Sequence, residues 1–346
     1  MQMTSDKMAE NSQSKKLIAD IKPIPTKDRS NLGKVTLTLE ENTHVTAVGV
    51  IYGIEHRVVG DGFSATLFLD HYNQRIRVTE YEGEDIDGLV FKLRFIAEAN
   101  GFDKIICMAS RADWQKFLRH GYVLEAVLKY CLRGEDAYVV SKFRSQERLT
   151  SHNLMEEILL IEEIMARTPE PETQGEIVVP NEYRFRMAKR EDIPSLIELY
   201  QSIFESYPSP LMHVDYLEAV FHKETLFAVA TEGERVVAAA SAELSPSYQS
   251  AELTDCATHP QARGKGLMSG LLTLLEGALV ERKYICAYTM ARARSFGMNN
   301  VFHQLGYEFL GRLVNNCDIY GAYEDMNIWV RNLRSRPPKK LKQNTN

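Results

Sequence analysis

The chain has 346 residues, 44% of them apolar, and a formal net charge of −6. That length and composition suit two domains with packed cores, and the acidic balance argues against a nucleic-acid partner. No apolar run reaches the roughly 18 residues of a membrane span, the polar first residues lack the apolar stretch of a secretory leader, and the five cysteines are scattered without a CxxC pair; a cytoplasmic protein with reduced thiols, no metal and no membrane partner is expected.

Residues 1–30 are polar and aperiodic and are expected to be disordered. Residues 31–150 read as one domain. Strand-like runs at 35–39, 44–52, 64–69 and 75–78 precede an amphipathic helix over 86–100, stopped at Asn100-Gly101. A buried strand at 104–108, a short helix at 114–119 and strands at 123–131 and 137–143 follow. Over 151–180 a periodic helix (151–167) gives way to Thr168-Pro-Glu-Pro-Glu-Thr-Gln-Gly175, a linker by its prolines and glycine.

The second domain, 181–333, begins with a strand at 183–188 and a helix over 193–207 with Asp192 as its cap. A hairpin at 226–244 turns around Glu232-Gly233-Glu234, and a strand follows at 252–258. Leu267, Leu271, Leu274, Leu275, Ala278 and Leu279 predict a helix over 264–279 with one face on a sheet. A strand at 285–290, a helix at 295–305 and two strands ending near Trp329 complete it, and the basic tail 334–346 is expected to fray. His120-Gly121-Tyr122 and Leu305-Gly306-Tyr307 hold equivalent places in the two halves, a short internal echo.

The strongest chemical signal is Thr258-His-Pro-Gln261-Ala-Arg263-Gly264-Lys265-Gly266-Leu267-Met268. It joins a strand to an amphipathic helix, whose first N–H groups and positive dipole end suit an anion. Glycines allow close backbone approach, so the segment can hold a pyrophosphate; taken alone it also fits an ordinary turn with solvated basic side chains. Glu252 and Asp255 on the preceding strand are candidate proton acceptors or, equally, strand-end ion pairs, and strict alternation puts them on opposite faces unless a bulge intervenes. Further on, Arg292, Arg294, Asn299 and Asn300 at a strand end, with Asn315-Asn316, suit a substrate carboxylate. A solvated turn with Ser295 as helix cap explains part of the same stretch.

The Q-x-x-G-x-G of 261–266 resembles the coenzyme A loop of GNAT-type acetyltransferases, and the order of elements over 181–330 is similar to theirs. The resemblance implies an α/β (α+β) fold, a mixed and mostly antiparallel sheet flanked by helices. It also implies acetyl-CoA as co-substrate, bound at Ala257, Thr258, Gln261, Arg263, Gly264, Lys265, Gly266, Leu267 and Met268, with an oxyanion held by a backbone N–H near Ala257 or Thr258. Glu252 resembles the general base of histone-type members, and Asp255 stays the other catalytic candidate on the same strand. Where many members carry a tyrosine acid this chain has Phe302, which leaves Tyr288, Tyr320, water or no acid at all to serve the leaving thiolate.

The runs 251–258, 288–299, 313–316 and 134–143 look like the β-lysine N-acetyltransferase family. That resemblance implies transfer of acetyl to the ε-amine of β-lysine or a related diamino acid, giving the compatible solute Nε-acetyl-β-lysine, with Arg292, Asn299 and Asn315 as substrate-binding residues. Protein-lysine acetylation and non-catalytic acyl-CoA sensing remain as alternatives, and a homodimer stays open. In the first half the stretch 81–88 is acidic where a phosphate loop would stand, so residues 31–150 read as a degenerate acetyltransferase-like lobe or an unrelated regulatory domain.

Overall fold

The computed structural model describes residues 34–48, 52–168, 176–335 and 340–343. The expectations for residues 1–30 and for most of the linker lie outside the described residues. In the first half, β1 (Lys34–Glu40) and β2 (Thr43–Val48) form a separate hairpin. Then come β3 (Ile54–Gly60), β4 (Phe63–Asp70), β5 (Arg75–Gly83), α1 (Ile86–Asn100), β6 (Lys104–Ala109), α2 (Trp114–Arg119), β7 (Val123–Leu132) and β8 (Glu135–Phe143). The connection holds α3 (Gln146–Leu149), α4 (Leu154–Met165) and β9 (Glu176–Val179). The second half runs β10 (Tyr183–Met187), α5 (Ile193–Ile203), α6 (Val214–Val220), β11 (Thr225–Glu232), β12 (Arg235–Ser245), β13 (Ser250–Thr258), α7 (Leu267–Glu281), β14 (Cys286–Arg292), α8 (Phe296–Gln304), β15 (Glu308–Ile319), β16 (Ala322–Asn332) and β17 (Lys340–Gln343).

Most of these elements follow the hydrophobic periodicity, and the departures have physical reasons. β3 is a polar edge strand that periodicity does not reveal, and α6 is a two-turn helix held by Leu217 and Val220 against the side of the sheet. The tail does not simply fray, because β17 pairs in parallel with β9 beside the linker. The acidic stretch after Arg75 is not a loop but the end of β5, and only Glu84 and Asp85 separate that strand from α1. The Asp85 carboxylate accepts from the Gly88 N–H at 2.9 Å, so a side chain caps the helix end.

One mixed, mostly antiparallel sheet runs through both halves in the order β10-β11-β12-β13-β14-β16-β15-β7-β8-β6-β5-β4-β3, flanked by helices. Its parallel pairs are β5 with β6 and β13 with β14. The sequence β4-β5-β6-β8-β7 repeats the order β12-β13-β14-β16-β15 from the opposite end. The irregularities repeat as well. β15 bulges against β16 between Leu313 and Cys317, with Asn315 at φ 45°, and β7 bulges against β8 between Leu128 and Leu132, with Tyr130 at φ 65°.

The halves meet where β15 pairs with β7 at Gly311 opposite Ala126. Three buried cations, two of the first half and one of the connection, reinforce the seam by binding carbonyls at the β15 bulge. Lys104 donates to Val314 O at 2.8 Å, Arg75 to Asn316 O at 2.8 Å and Arg148 to Asn316 O at 3.3 Å. Cys131 of β7 and Cys286 of β14 lie with Cα atoms 5.3 Å apart across the seam. The seam, invisible in the cysteine spacing, brings the pair together.

At Gly311 the strands approach so closely that a Cβ would lie 2.4 Å from Glu125 O and 2.6 Å from Ala126 Cα, at a φ of +143°. Gly311→Ala is therefore expected to lower stability by about 1–3 kcal/mol through forced separation of the two strands, read as a lower urea midpoint. An unchanged midpoint would mean that the lobes part at this contact without cost.

Candidate active site

β13 pairs with β12 along its length, but its parallel ladder with β14 has three rungs: Ser250 with Cys286, Ala251 with Ala287 and Glu252 with Tyr288. Beyond Glu252 the two strands diverge and leave an open cleft that leads from the acids toward α7. At the far end, Gly264 and Gly266 adopt left-handed backbone with nothing within 4 Å of the position a Cβ would take. The first turn of α7 carries no acid, so its N–H groups face open space under a positive dipole end. Arg263 donates to Thr258 O at 3.2 Å, and Lys265 donates to the Tyr183 hydroxyl at 2.6 Å; neither pairs with a carboxylate among the described residues. Thr258 and Gln261 remain accessible. Leu267, Met268 and Ala257 instead bury their side chains in the cores beside the sheet, which leaves them only backbone groups to offer a ligand.

The other end of the cleft opens into a cavity of about 790 Å³ between the two halves of the molecule. Glu243, Glu252 and Asp255 all line it. Glu243 and Glu252 are cross-strand partners on β12 and β13. Asp255 joins them because β13 carries one extra residue between its partners of Ser241 and Ala239, with Asp255 itself at φ +53°. The bulge breaks strict alternation and turns Asp255 toward the Ser241 hydroxyl, 2.5 Å away.

Three carboxyl groups so close together cannot all ionise freely. Burial, reinforced by the charge of Glu243 and opposed by that of Arg77, holds Glu252 well above the usual carboxylate range. Burial and Glu243 likewise raise Asp255, although hydrogen bonds from Ser241 and Tyr207 oppose the shift. Glu243 is raised by burial too, with Arg77 opposing. The arrangement can take protons from an ammonium group near neutral pH.

Other expected site residues fare differently. Arg292 lines the cavity, but its guanidinium grips Glu324 through two hydrogen bonds of 2.7 and 2.6 Å. Asn299 is fully buried, and its amide is saturated: Nδ2 donates to Arg292 O and Ser295 O, and Oδ1 accepts from Asn327 Nδ2 and Trp329 Nε1. Asn315 donates to Glu147 O, Arg148 O and Thr150 O and fastens the β15 bulge to α3. Asn299 is therefore a structural tie with no free hydrogen-bonding capacity, and the amide nitrogen of Asn315 is committed to backbone carbonyls. Phe302 does line the cavity, packed edge-on against Tyr307.

Residues 193–307 match the model of the acetyltransferase (GNAT) family. The chain is 33% identical over 276 residues to the N-acetyltransferase YodP of Bacillus subtilis, covering 80% of this chain and 98% of that protein. It is 34% identical to the β-lysine N(6)-acetyltransferase of Methanosarcina mazei, over 62% of this chain and 85% of the relative. To the β-lysine N(6)-acetyltransferase of Methanococcus maripaludis it is 27% identical, over 75% and 93% respectively. The chain belongs to the GNAT acetyltransferase family, in its β-lysine acetyltransferase group.

It is thus an acetyl-CoA-dependent N-acetyltransferase. In this GNAT enzyme the sequence alone points to Glu252, Asp255 and the glycine loop, and it gives no sign that Glu243, Tyr207 and Arg77 line the same cavity. Glu243 becomes visible only through the register across the turn at 246–249, which puts acid opposite acid. Arg77 belongs to a strand of the other half.

The raised carboxyl groups carry a stability signature. Glu252 holds its proton in the folded state to a higher pH than in the unfolded chain. Between the two pKa values the folded state binds more protons, so stability falls as pH rises through that window. Glu252→Gln is expected to raise Tm at about pH 9 and to leave it nearly unchanged at about pH 3, below the pKa of an unfolded glutamate, about 4.3. A shift in Tm that is the same at both pH values would overturn the buried-charge account.

Proposed function

We propose that the enzyme transfers acetyl from acetyl-CoA to the ε-amine of β-lysine or a closely related diamino acid, making the compatible solute Nε-acetyl-β-lysine. The observation that carries this reading is the cluster of Glu243, Glu252 and Asp255 in a cavity at the head of the β13–β14 cleft. A diamino acid brings two ammonium groups, and a cavity with three carboxyl groups supplies a partner for each. The names of the relatives in Methanosarcina mazei and Methanococcus maripaludis support the same acceptor.

In this reading the pyrophosphate of the co-substrate lies against Gly264, Gly266 and the start of α7, with Arg263 and Lys265 at its edge. The thioester reaches the divergence of β13 and β14, where a backbone N–H near Ala257 or Thr258 stabilises the oxyanion. Glu252 takes the proton from the ε-ammonium group, and the freed amine attacks the thioester carbonyl. The attacking nitrogen of the tetrahedral adduct gives up its second proton to water, and the adduct collapses to the neutral amide with loss of the thiolate. Phe302 can donate no proton to it, and a thiolate is a sufficiently stable leaving group to depart without a dedicated acid.

The first half is proposed to be a degenerate acetyltransferase-like lobe that closes the acceptor cavity. Its strand order and bulges repeat those of the second half. Its strand–helix turn is two residues long, and Asp85 already occupies the Gly88 N–H in the first turn of the helix.

Thiol release from acetyl-CoA, followed over a panel of amines, tests the acceptor. Turnover with β-lysine or lysine is expected; turnover restricted to peptides, or coenzyme binding without turnover, would replace this reading with protein acetylation or acyl-CoA sensing. Glu252→Gln is expected to lower kcat by about 10²–10⁴-fold. It should also move the acid limb of the pH profile toward the pKa of a free alkylamine, about 10.4. An unmoved limb would assign the proton to another group.

A further inference from the structure

We propose that Arg77, a residue of the first lobe, is the site that binds the acceptor's carboxylate and so selects amino acids over simple diamines. The inference rests on the proposed diamino acid acceptor.

Arg77 lies on β5 and reaches into the cavity that Glu243 and Glu252 line from the second lobe. Its guanidinium sits 4.9 Å above the ring of Phe68, its cross-strand partner on β4. The ring orients the flat cation without using any of its N–H donors. The Nε of Arg77 is buried and has no hydrogen-bond partner, and no carboxylate comes within ion-pair distance of the group among the described residues. A half-buried guanidinium that lines a cavity, with no ion pair and an unused Nε donor, is incomplete by itself.

The other arginines of this wall are committed. Arg75 binds Asp70 at 2.8 Å and Asn316 O at 2.8 Å, and Arg292 is held by both oxygens of Glu324. The field of Arg77 nevertheless reaches Glu243 and Glu252, opposing the rise in both. A cation and two acids that face one cavity without touching one another match a zwitterion placed between them. The carboxylate takes the planar fork of Arg77, the neighbouring ammonium faces Glu243, and the distal amine extends to Glu252 beside the cleft.

The repeat between the lobes accounts for this placement. Glu252 is the third rung of the parallel ladder β13–β14, after Ser250 and Ala251. Arg77 is the third rung of β5–β6, after Arg75 and Ile76. The same structural position therefore carries the base in one lobe and a cation in the other.

The test compares β-lysine with the diamine obtained by removing its carboxyl group, as acceptors for wild type, Arg77→Met, Arg77→Lys and Arg292→Ala. In Arg77→Met the ratio of kcat/KM for β-lysine over the diamine should fall about 10–100-fold, the effect of losing hydrogen bonds to a charged group. Arg77→Lys, which keeps the charge and loses the fork, should fall between, and the KM for acetyl-CoA should stay within about twofold in both, which also reports correct folding. Equal losses for both acceptors, an unchanged ratio, or a selective loss in Arg292→Ala instead would overturn the assignment. Calorimetric titration of β-lysine into the coenzyme A complex separates this inference from the reading beneath it. Arg77-dependent binding without acetyl transfer overturns the proposed reaction and keeps the carboxylate site. Acetyl transfer with unchanged discrimination keeps the reaction and overturns the site, and the absence of both binding and transfer overturns the two together.

Discussion

The architecture depends on how the first lobe holds the bulge of β15. Lys104 is wholly buried between Glu125, at 2.9 Å, and Val314 O, at 2.8 Å. Burial lowers its pKa to about 8, with Glu125 working against the fall. Glu125 in turn accepts from Val314 N at 2.7 Å, so one ion pair satisfies both backbone groups of a residue that the sheet ladder leaves out. Arg75 and Arg148 complete the same task at Asn316 O. Buried ion pairs contribute little net stability but are intolerant of misplacement. This one therefore fixes the register between lobes, and with it the position of every cavity residue that the first lobe supplies.

From that constraint the active site follows in order. The seam sets β5 facing β12 and β13 across the cavity, the divergence of β13 from β14 opens a path to the glycine loop, and the bulge at Asp255 gathers a third carboxyl group. The raised pKa values of Glu243, Glu252 and Asp255 come first from burial, to which the charge of Glu243 adds at Glu252 and Asp255 and that of Glu224 at Glu243. Their position is thus costly to the fold and useful to the chemistry, the usual relation between strain and function.

The sequence made most of the second half legible, because Leu267–Leu279 has a clean helical period and Gly264 and Gly266 punctuate a strand–helix junction. It also exposed Glu252 and Asp255, and the echo between Gly121-Tyr122 and Gly306-Tyr307 marked the two bulged strand pairs. What it hid depends on contacts remote in the chain. Asn299 and Asn315 look available in the sequence, but Asn299 is saturated by carbonyls, Asn327 and Trp329, and the amide nitrogen of Asn315 is tied to backbone carbonyls. Arg292 looks like a carboxylate clamp and already holds one, that of Glu324. Arg77 has no local mark at all, since its meaning comes from a lobe that begins more than a hundred residues later, and the closeness of Cys131 to Cys286 is hidden for the same reason.

The seam at Gly311 and Ala126 has a kinetic consequence. Two similar sheets meet through equivalent strands, an arrangement that separate subunits could also form, but here one polypeptide connects them through α3, α4 and β9. Tethering makes the encounter of the lobes intramolecular, so that it does not depend on the concentration of the chain. The wall that β5 contributes to the cavity is therefore not lost on dilution, and the site stays whole however few copies of the chain a cell contains.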